Sequence, residues 1–541
     1  MRHSVGYITW LQGKFDTLDC RHSLHDKMLT TKDYKRFRVG DKEFEGAALA
    51  CRALPGDTVT VEYGQVTAIL KRAEHRNIVG TLELASKVRY GLTSRNYPIF
   101  LFTPFSESYP PFYVGCSQKD VSQNVLAMID LSHWDDGTCP RGSLVQIFGP
   151  AGEIAVEEEA LAVHASPMRW KKLGELVEPE PLSGRPIGIT FHVDPAGCRD
   201  IDDAITLHPI DAANMEVSIH IADVASWLRV NPALIDKARA ISQTLYRDGT
   251  AIRPMFPLEL SEGKFSLLPG QDRRVVTLKF IWNKVQQEMS VPTWKMEMIR
   301  VSQSFTYHSI TKSMLSGELA EICSGIAGRP VTDSHEWIEQ LMLLYNREAA
   351  KMLRAAGVGV LRRHAGVLQE RFEAYQALGL PADRLAMAAG EYCEASAADT
   401  QHWGLATAAY CHASSPIRRW SDCANQMILQ DIIAGRAAAS LETDIAQMNT
   451  RSKAVKAYER DLTFVRAVLE PTKKPLDGIV AEPGRVWVPR WGRIVKADTG
   501  EIQPGAPVGI KYFCDATKRN WKRRLVLKIE ALDGAKGTNN D

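Results

Sequence analysis

One local pattern of polar and apolar positions occurs three times along the chain. In each copy a glycine-containing turn precedes a segment with apolar residues at alternate positions, the spacing of a strand exposed on one face. The copies cover residues 55–63, 141–147 and 504–512. Each copy lies among short strand-like runs separated by Gly, Pro, Asn and Asp, which is typical of small antiparallel barrels. Turns of this kind also occur in β-proteins of other architectures.

These stretches predict the following small barrels: residues 1–75, 76–175 and 475–534. A linker is predicted at 470–475, where two prolines flank a pair of lysines. Residues 535–541 are expected to form a flexible tail.

Between the barrels the pattern changes to the three- and four-residue spacing of helices. After Asp-rich strand segments near 187–225, residues 333–356 are predicted to form an amphipathic helix. Its apolar face would consist of Ile338, Leu341, Met342, Tyr345, Ala349 and Met352. Alanine-rich residues 382–399 and a helix beginning near Pro416 would continue the helical character to about 469. The fold class predicted is therefore α+β multidomain, with a central domain at 176–470 flanked by the barrels.

Composition limits the possible classes of protein. The 541 residues are enough for roughly three to five folding units. Apolar residues make up 45% and charged residues 24%, which excludes a disordered, collagenous or coiled-coil chain. With 66 Lys and Arg against 64 Asp and Glu, the net charge of +2 does not by itself indicate a nucleic-acid partner.

Cysteine usage and hydropathy predict a compartment. No two of the ten cysteines form a Cys-x-x-Cys pair, so reduced thiols are expected rather than a zinc ribbon or a disulfide framework. Nowhere do about 18 apolar residues run together, and the start of the chain lacks a signal-peptide core. We expect a cytoplasmic protein with no membrane partner.

The densest candidate for chemistry is a run of carboxylates at 194–203. Asp194, Asp200, Asp202 and Asp203 lie in an otherwise apolar region, where cations would have to offset their mutual repulsion. Mg²⁺ accepts such oxygen ligands together with substrate phosphates, and two ions about 4 Å apart could clamp a phosphodiester. A solvated acidic turn is the simpler alternative. The spacing does not match an EF-hand calcium loop.

A second candidate lies at 413–422. Ser415 and Pro416 form the combination expected at a helix start, where outward N–H groups can bind an anion. Arg418 and Arg419 would lie in the first turn, an unfavourable place for cations unless a phosphate binds there. Pairing of an arginine with Asp422 is the alternative.

Aromatic residues in polar surroundings form a third candidate set. Tyr246, Tyr307 and the segment 402–405 could stack on the bases of a single strand. Core packing explains most aromatic residues and remains the alternative for each of them.

Together the Asp-rich run and the Ser-Pro-Ile-Arg segment at 415–418 resemble the ribonuclease II family. Further blocks similar to the family occur in the same order, and the resemblance extends over about 187–469. Those blocks lie at 220–224, 254–261, 266–273, 339–346 and 402–405. The resemblance implies a central RNB catalytic domain, two cold-shock-like OB-fold barrels before it and one OB-type RNA-binding barrel after it.

The resemblance also implies an Mg²⁺-dependent exoribonuclease. It would hydrolyse single-stranded RNA processively from the 3′ end, release nucleoside 5′-monophosphates and act as a monomer. The resemblance implies two ions, one arriving with substrate, and Mn²⁺ would substitute. Catalytic roles would fall to Asp202, Asp203 and Arg418, and metal binding to the four aspartates. RNA contacts are expected from Tyr246, Tyr307, Glu339, Arg418 and Arg419, and Asp202 should be the least replaceable residue.

This chain departs from the family at several positions. Arg247 and Asp248 follow the tyrosine where the family usually has Leu-Pro, Gln426 lies where His is common, and Trp420 replaces a tyrosine. None of these positions is one of the four carboxylates or Arg418, so activity is expected to survive.

Two other functions are compatible with the pattern. A catalytically inactive RNA-binding scaffold of the same fold is the first, although it would gain nothing from four carboxylates where RNA must lie. A structural DNA-binding factor is the second, but no helix-turn-helix or finger is recognisable.

Charge is segregated along the chain. Residues 471–541 contain 14 Lys and Arg against 8 Asp and Glu, a local net charge of +6, with five of the cations between Lys518 and Arg524. A basic final barrel could bind the RNA backbone through counterion release. The small total charge therefore does not argue against RNA.

Overall fold

The computed structural model describes most of the chain. The residues described are 4–7, 36–39, 42–45, 50–62, 65–106, 108–135, 137–170, 173–438, 445–469, 475–515 and 525–531. They divide into two compact units, one of residues 1–167 with 458–541 and one of residues 168–457. The predicted basic cluster at 518–524 and the predicted tail at 535–541 lie outside the described residues.

A closed five-stranded barrel forms in the first unit, inside the stretch predicted for one. Its strands are Ile78–Leu82, Ile99–Pro104, Phe112–Gly115, Val125–His133 and Arg141–Pro150. Strand Arg141–Pro150 closes it, because this strand pairs antiparallel with Val125–His133 and parallel with Phe112–Gly115. Phe100, Phe102 and Phe112 fill the interior, and helix Ile154–Ala165 follows the last strand.

Two further groups of strands belong to the first unit. Near the N-terminus, an antiparallel sheet consists of Ser4–Tyr7, Thr58–Glu62 and Gln65–Lys71. A separate hairpin consists of Arg36–Val39 and Lys42–Glu45. Near the C-terminus, a five-stranded antiparallel sheet has the order Arg493–Lys496, Arg485–Val488, Leu476–Glu482, Pro507–Cys514, Leu525–Ala531. A strand forms in each of the three patterns, as predicted. The turn predicted at Gly142 is wrong, because Gly142 lies within strand Arg141–Pro150 and pairs with Leu131.

A seven-stranded sheet is the centre of the second unit. Six strands follow the order Glu288–Met289, Asp272–Asn283, Asn214–Ala222, Asp203–Pro209, Ile189–Val193, Gln303–Phe305, and Thr293–Arg300 pairs with Asp272–Asn283. Apolar residues at alternate positions, such as Phe191, Ile205 and Ile219, cover one face and pack with residues of the neighbouring helices. The α+β class is thus confirmed.

Helices and short hairpins surround this sheet. The helices are Val224–Val230, Ile235–Ile241, Tyr307–Ile310, Ser316–Ala327, Ser334–Ala356, Gln369–Ala377, Ala382–Leu385, Trp420–Ile433 and Ile445–Leu469, the last of which ends in the first unit. The hairpins are Leu245–Arg247 with Thr250–Arg253, and Val360–Arg363 with Glu391–Glu394. Single turns of 3₁₀ or π type occur at Pro232–Leu234, Leu260–Lys264, Trp403–Leu405 and Pro489–Trp491.

The helix predicted at 333–356 is confirmed as Ser334–Ala356. It begins after Asp333, whose side chain accepts a hydrogen bond from the His335 N–H, and it ends before Gly357, which has a φ of 69°. Helical structure throughout 382–399 was a wrong prediction, since only Ala382–Leu385 is helical and Glu391–Glu394 forms a strand. Pairing with Val360–Arg363 outweighs the helix preference of alanine there.

Within the described ranges, no helix is both long and apolar enough to span a membrane.

Gly325 allows close packing between a helix and the central sheet. A Cβ at this position of helix Ser316–Ala327 would lie 2.0 Å from the ring of Trp282, which is fully buried. We therefore expect Gly325→Ala to lower the free energy of unfolding by about 1–3 kcal/mol through overpacking. Gly317, in the same helix, has no atom within 4 Å of such a Cβ. Gly317→Ala should raise stability by about 0.5 kcal/mol.

Urea unfolding followed by tryptophan fluorescence measures both changes. Equal effects of the two substitutions would contradict the packing argument, because helix propensity alone would then explain them.

Candidate active site

One end of the central sheet gathers three of the predicted site residues. Strands Ile189–Val193 and Asp203–Pro209 are antiparallel neighbours, so Asp194 leaves one strand where Asp203 begins the other. Strand Gln303–Phe305 runs parallel to Ile189–Val193 on its other side, and the Asp194 N–H donates to the Phe305 carbonyl at 3.1 Å. This pairing places Tyr307 beside the carboxylates. The connection 194–202 carries the remaining two aspartates.

Asp202 joins this end of the sheet to a segment more than 200 residues away. Its Oδ1 accepts from the Ile417 N–H at 2.8 Å, and its Oδ2 accepts from Arg418 Nε at 3.1 Å. The Asp202 side chain is buried, whereas that of Arg418 is 47% exposed. The two strongest sequence motifs therefore meet in one place.

The four aspartates, Asp194, Asp200, Asp202 and Asp203, are named the carboxylate cluster below. Burial raises the pKa of Asp202 to about 7, although Arg418 and the Ile417 N–H act in the opposite direction. Burial, followed by the charges of Asp194 and Asp202, raises the pKa of Asp203 well above its usual range. Negative charge is therefore costly here without a cation.

The other two members of the cluster have their own partners. The Tyr246 hydroxyl donates to Asp200, and Cys198 Sγ lies 3.6 Å from Asp200 Oδ1. His192 Nδ1 lies 2.9 Å from Asp194 Oδ2. Sequence reasoning missed His192, although its position two residues before Asp194 on a strand places both side chains on one face.

Residues 415–418 form a turn, named the arginine turn below, and not the first turn of a helix. The prediction of a helix start at Ser415 and Pro416 is wrong, because the helix begins at Trp420. The turn is held by side-chain acceptors: Asp202 binds the Ile417 N–H, and Asp422 binds the Ser415 N–H at 2.8 Å. A helix-dipole site for phosphate is therefore not formed by this segment.

Arg419 forms the ion pair that the sequence left open as an alternative. Its Nη2 lies 2.9 Å from Asp422 Oδ1, and Asp422 is fully buried. Asp422 also accepts from Ser421 Oγ at 2.9 Å. Asp422 thus fixes both the arginine turn and Arg419, so we leave Arg419 out of the RNA contacts proposed below.

Asn346 anchors the segment that leads into the arginine turn. Its amide donates to Tyr410 Oη and Ser414 Oγ and accepts from the Ala413 N–H, at 2.9–3.1 Å. Sequence reasoning missed Asn346, which is a buried polar residue within the apolar pattern of the helix. A polar residue at a buried position of the predicted helix was the signal in the sequence that could have identified it.

Tyr307 packs against helix Ser334–Ala356, and Glu339 lies on that helix. The ring of Tyr307 stacks on His335 with centroids 3.7 Å apart, and burial, Asp194 and Asp203 together raise its pKa to about 12. Glu339 is exposed one turn beyond His335 on helix Ser334–Ala356, near Arg329. No described contact joins Glu339 to the carboxylate cluster.

Three of the residues that depart from the family pattern have a recognisable place in the structure. Gln426 is buried and bridges the chain after strand Asn214–Ala222, since it accepts from the Ala225 N–H and donates to the Ala222 carbonyl. Trp420 is buried at the helix start. Asp248 has a φ of 52°, which a turn at the end of strand Leu245–Arg247 requires.

The carboxylate cluster has the donor chemistry of a site for hard metal ions. All of its donors are hard carboxylate oxygens, and repulsion between buried Asp203 and its neighbours would be relieved by a divalent cation. Among the described residues, however, no three His, Cys, Asp or Glu side chains already converge on one point. The donor chemistry therefore fits Mg²⁺, but the ligands are not preassembled.

Comparison with protein families confirms the resemblance to the ribonuclease II family. The RNB domain matches residues 188–323 and 312–435, and the Dis3-like cold-shock domain 2 matches residues 99–166. The second match includes most of the closed barrel. The chain thus carries an RNB domain preceded by a cold-shock domain and is related to RNB-family exoribonucleases.

Curated relatives are distant. Ribonuclease R of Thermotoga maritima is 22% identical, with 77% of this chain and 70% of the relative covered. The exosome complex exonuclease RRP44 of Homo sapiens is 24% identical, with coverages of 60% and 43%. DIS3-like exonuclease 2 of Xenopus tropicalis is 27% identical, with coverages of 42% and 30%. The chain thus spans less than half of the length of the last two.

Solved structures share the fold. RNase R of Mycoplasma genitalium, in complex with ribose-methylated single-stranded RNA, has a TM-score of 0.71 and 16% identity, covering 92% of this chain and 98% of that chain. Yeast Ssd1, described as a pseudonuclease, has a TM-score of 0.68 and 15% identity, covering 96% and 81%. Both an RNase and a pseudonuclease therefore have this fold.

We expect Asp422→Asn to lower the free energy of unfolding by about 3 kcal/mol, because it leaves the Arg419 charge without its buried partner. Asp236→Asn is the matched control, since Asp236 is 86% exposed and pairs with Arg239 on a helix surface. The control should cost at most about 0.5 kcal/mol. Urea unfolding checks both, and equal losses would show that Asp422 is not a buried anchor.

Proposed function

Because the chain carries an RNB domain, we propose that it is an Mg²⁺-dependent exoribonuclease. It would hydrolyse single-stranded RNA processively from the 3′ end and release nucleoside 5′-monophosphates. The observation that carries this proposal is the contact of Arg418 with Asp202 inside the carboxylate cluster. That contact brings a phosphate-binding cation and hard metal ligands together.

Arg418 is suited to bind the scissile phosphate. Its Nε is oriented by Asp202, and its Nη2 donates to Ser415 Oγ at 3.1 Å. In the part of the chain that is described, its Nη1 has no hydrogen-bond partner, and the side chain is half exposed. A guanidinium held in this way can stabilise the charge that develops on the phosphate without reorganising.

Asp194, Asp200 and Asp203 would hold Mg²⁺, with Asp202 as a further ligand. Mg²⁺ would supply neutralisation of the phosphate and activation of water, in the two-ion scheme expected for the family, and Mn²⁺ would substitute. The raised pKa of Asp203 supports the need for a cation at this place. His192 and Tyr246 would orient Asp194 and Asp200 through the contacts described above.

Single-stranded RNA is the proposed substrate. The Mycoplasma genitalium RNase R, which has the same fold, binds single-stranded RNA in its solved complex. In this chain Tyr246 would stack on nucleotides near the 3′ end, Tyr307 would line the end of the channel, and Glu339 would contact the terminal nucleotide. The location in the cytoplasm, the monomeric state and the RNA-binding role of the final barrel remain predictions.

A catalytically inactive RNA-binding scaffold is the second candidate function. It is favoured by the likeness to the pseudonuclease Ssd1 and by the lack, in the described ranges, of three converged metal ligands. This candidate predicts RNA binding without the loss of nucleotides in any divalent ion.

The first test follows the products of a single-stranded RNA by thin-layer separation. We expect nucleoside 5′-monophosphates in Mg²⁺, none in EDTA, and loss of activity in Asp202→Asn with RNA affinity retained. The exposed Asp236→Asn serves as control and should keep full activity. Degradation that survives EDTA or Asp202→Asn would refute the proposed enzyme, and binding without any degradation would support the scaffold.

The second test separates catalysis from binding at Arg418. Arg418→Lys keeps the charge but cannot reach Asp202, Ser415 and a phosphate at once, so kcat should fall on the order of 100-fold or more while RNA affinity changes little. Arg199→Lys is the control, because Arg199 is 69% exposed and pairs with Glu262 beside the cluster. Equal kcat values for the two variants would exclude Arg418 from the transition state.

A further inference from the structure

A cavity of about 860 Å³ lies in the unit of residues 168–457, apart from the carboxylate cluster. The strand register of the central sheet shows how far the cavity lies from the carboxylate cluster. Asp203 pairs with Ile221, and Ile221 pairs with Val276 on strand Asp272–Asn283. Trp282, which lines the cavity, lies six residues further along that strand, which corresponds to roughly 20 Å.

The cavity has the size of a small-molecule site, and part of its lining is apolar. The apolar part of its lining, named the floor below, includes Met289, Ile326, Leu344 and Trp282. Volumes of roughly 300–1,000 Å³ are usual for small-molecule sites. Trp282 is held in place because its Nε1 donates to Glu321 Oε1 at 3.3 Å. Gly325, also in the lining, lets the Trp282 ring pack directly against helix Ser316–Ala327.

Three cations of helix Ser334–Ala356 line one side of the cavity. Arg347, Lys351 and Arg354 are spaced four and three residues apart, so they lie on the same helix face. Lys351 is paired with Glu348 at 2.6 Å. The two arginines instead donate to main-chain carbonyls: Arg347 Nη2 to Leu405 at 3.3 Å, and Arg354 Nη1 to Ala397 at 2.6 Å.

Positive charge is therefore in excess at this wall. Carbonyl groups do not neutralise a guanidinium, and across the described ranges neither Arg347 nor Arg354 forms an ion pair with a carboxylate. Glu288 is the remaining acidic residue of the lining, which leaves two unpaired cations against one unpaired anion. Arg347 Nε is buried and, among the described atoms, lacks a hydrogen-bond partner. A buried donor of this kind costs free energy that an anionic acceptor would recover.

We propose that this cavity binds a small organic anion of mononucleotide size, with a phosphate at Arg347 and Lys351 and an apolar ring system on the floor. Lys351 can take part because its ammonium has two N–H donors beyond the one that faces Glu348. Arginine provides the planar set of donors that suits a phosphate. An inorganic anion would leave the apolar floor empty, and an uncharged ring would leave the cations unpaired. The proposal does not depend on the exoribonuclease activity proposed above.

The test is calorimetric titration of the full chain with AMP in EDTA, where hydrolysis of any RNA is prevented. We expect saturable binding of AMP and much weaker binding of adenosine and of inorganic phosphate. Arg347→Gln combined with Lys351→Gln should weaken AMP binding at least tenfold. Arg371→Gln is the control, because Arg371 is an exposed cation of helix Gln369–Ala377 outside the lining.

Thermal unfolding shows whether each variant is folded. If the double variant does not fold, Lys351→Gln alone, which changes an exposed position, should still weaken AMP binding. No saturable AMP binding would overturn the proposal. It would also be overturned if binding persisted in the folded variants but disappeared in Tyr246→Ala, because AMP would then occupy the carboxylate cluster. Binding of hexaglutamate in place of AMP would indicate an acidic protein partner and would overturn it as well.

Discussion

The candidate active site depends on one contact between distant segments. In it, Asp202 accepts hydrogen bonds from the Ile417 N–H and from Arg418 Nε. Ile417 and Arg418 are 215 and 216 residues away from Asp202 along the chain. The same carboxylate fixes the main chain of the arginine turn and the direction of its guanidinium. Removing it would disturb the proposed metal ligands and the proposed phosphate-binding residue together. The cost of this arrangement is a buried aspartate with a raised pKa.

Around this contact, a second layer of buried polar residues holds the arginine turn. Asp422 binds the Ser415 N–H from the helix that follows the turn, and Asn346 binds Ala413 and Ser414 from helix Ser334–Ala356. Gln426 extends the same arrangement to the end of strand Asn214–Ala222. Preorganisation of Arg418 thus comes from hydrogen bonds to three structural elements, which is what electrostatic stabilisation of a transition state requires.

The two candidate sites of the second unit differ in how their charges are compensated. In the carboxylate cluster the excess charge is negative and buried, so a divalent cation is the expected complement. In the cavity beside Arg347 the excess charge is positive and adjoins apolar residues, so an organic anion is the expected complement. Helix Ser334–Ala356 reaches both places, with His335 stacked on Tyr307 near its start and the three cations in its second half.

Sequence alone determined the α+β class, a strand in each of the three glycine-containing patterns, the helix predicted at 333–356 and the chemical types of the site residues. These follow from local periodicity and from charges that an apolar context cannot hold unpaired. It failed where tertiary partners outweigh local preference. Pairing with Val360–Arg363 makes a strand of Glu391–Glu394 within an alanine-rich segment, and Asp202 and Asp422 hold residues 415–418 in a turn where a helix start was predicted. Only the tertiary structure decided that Arg418 faces the carboxylates while Arg419 pairs with Asp422, since adjacent residues of the same type differ only in the partners that the fold brings to them.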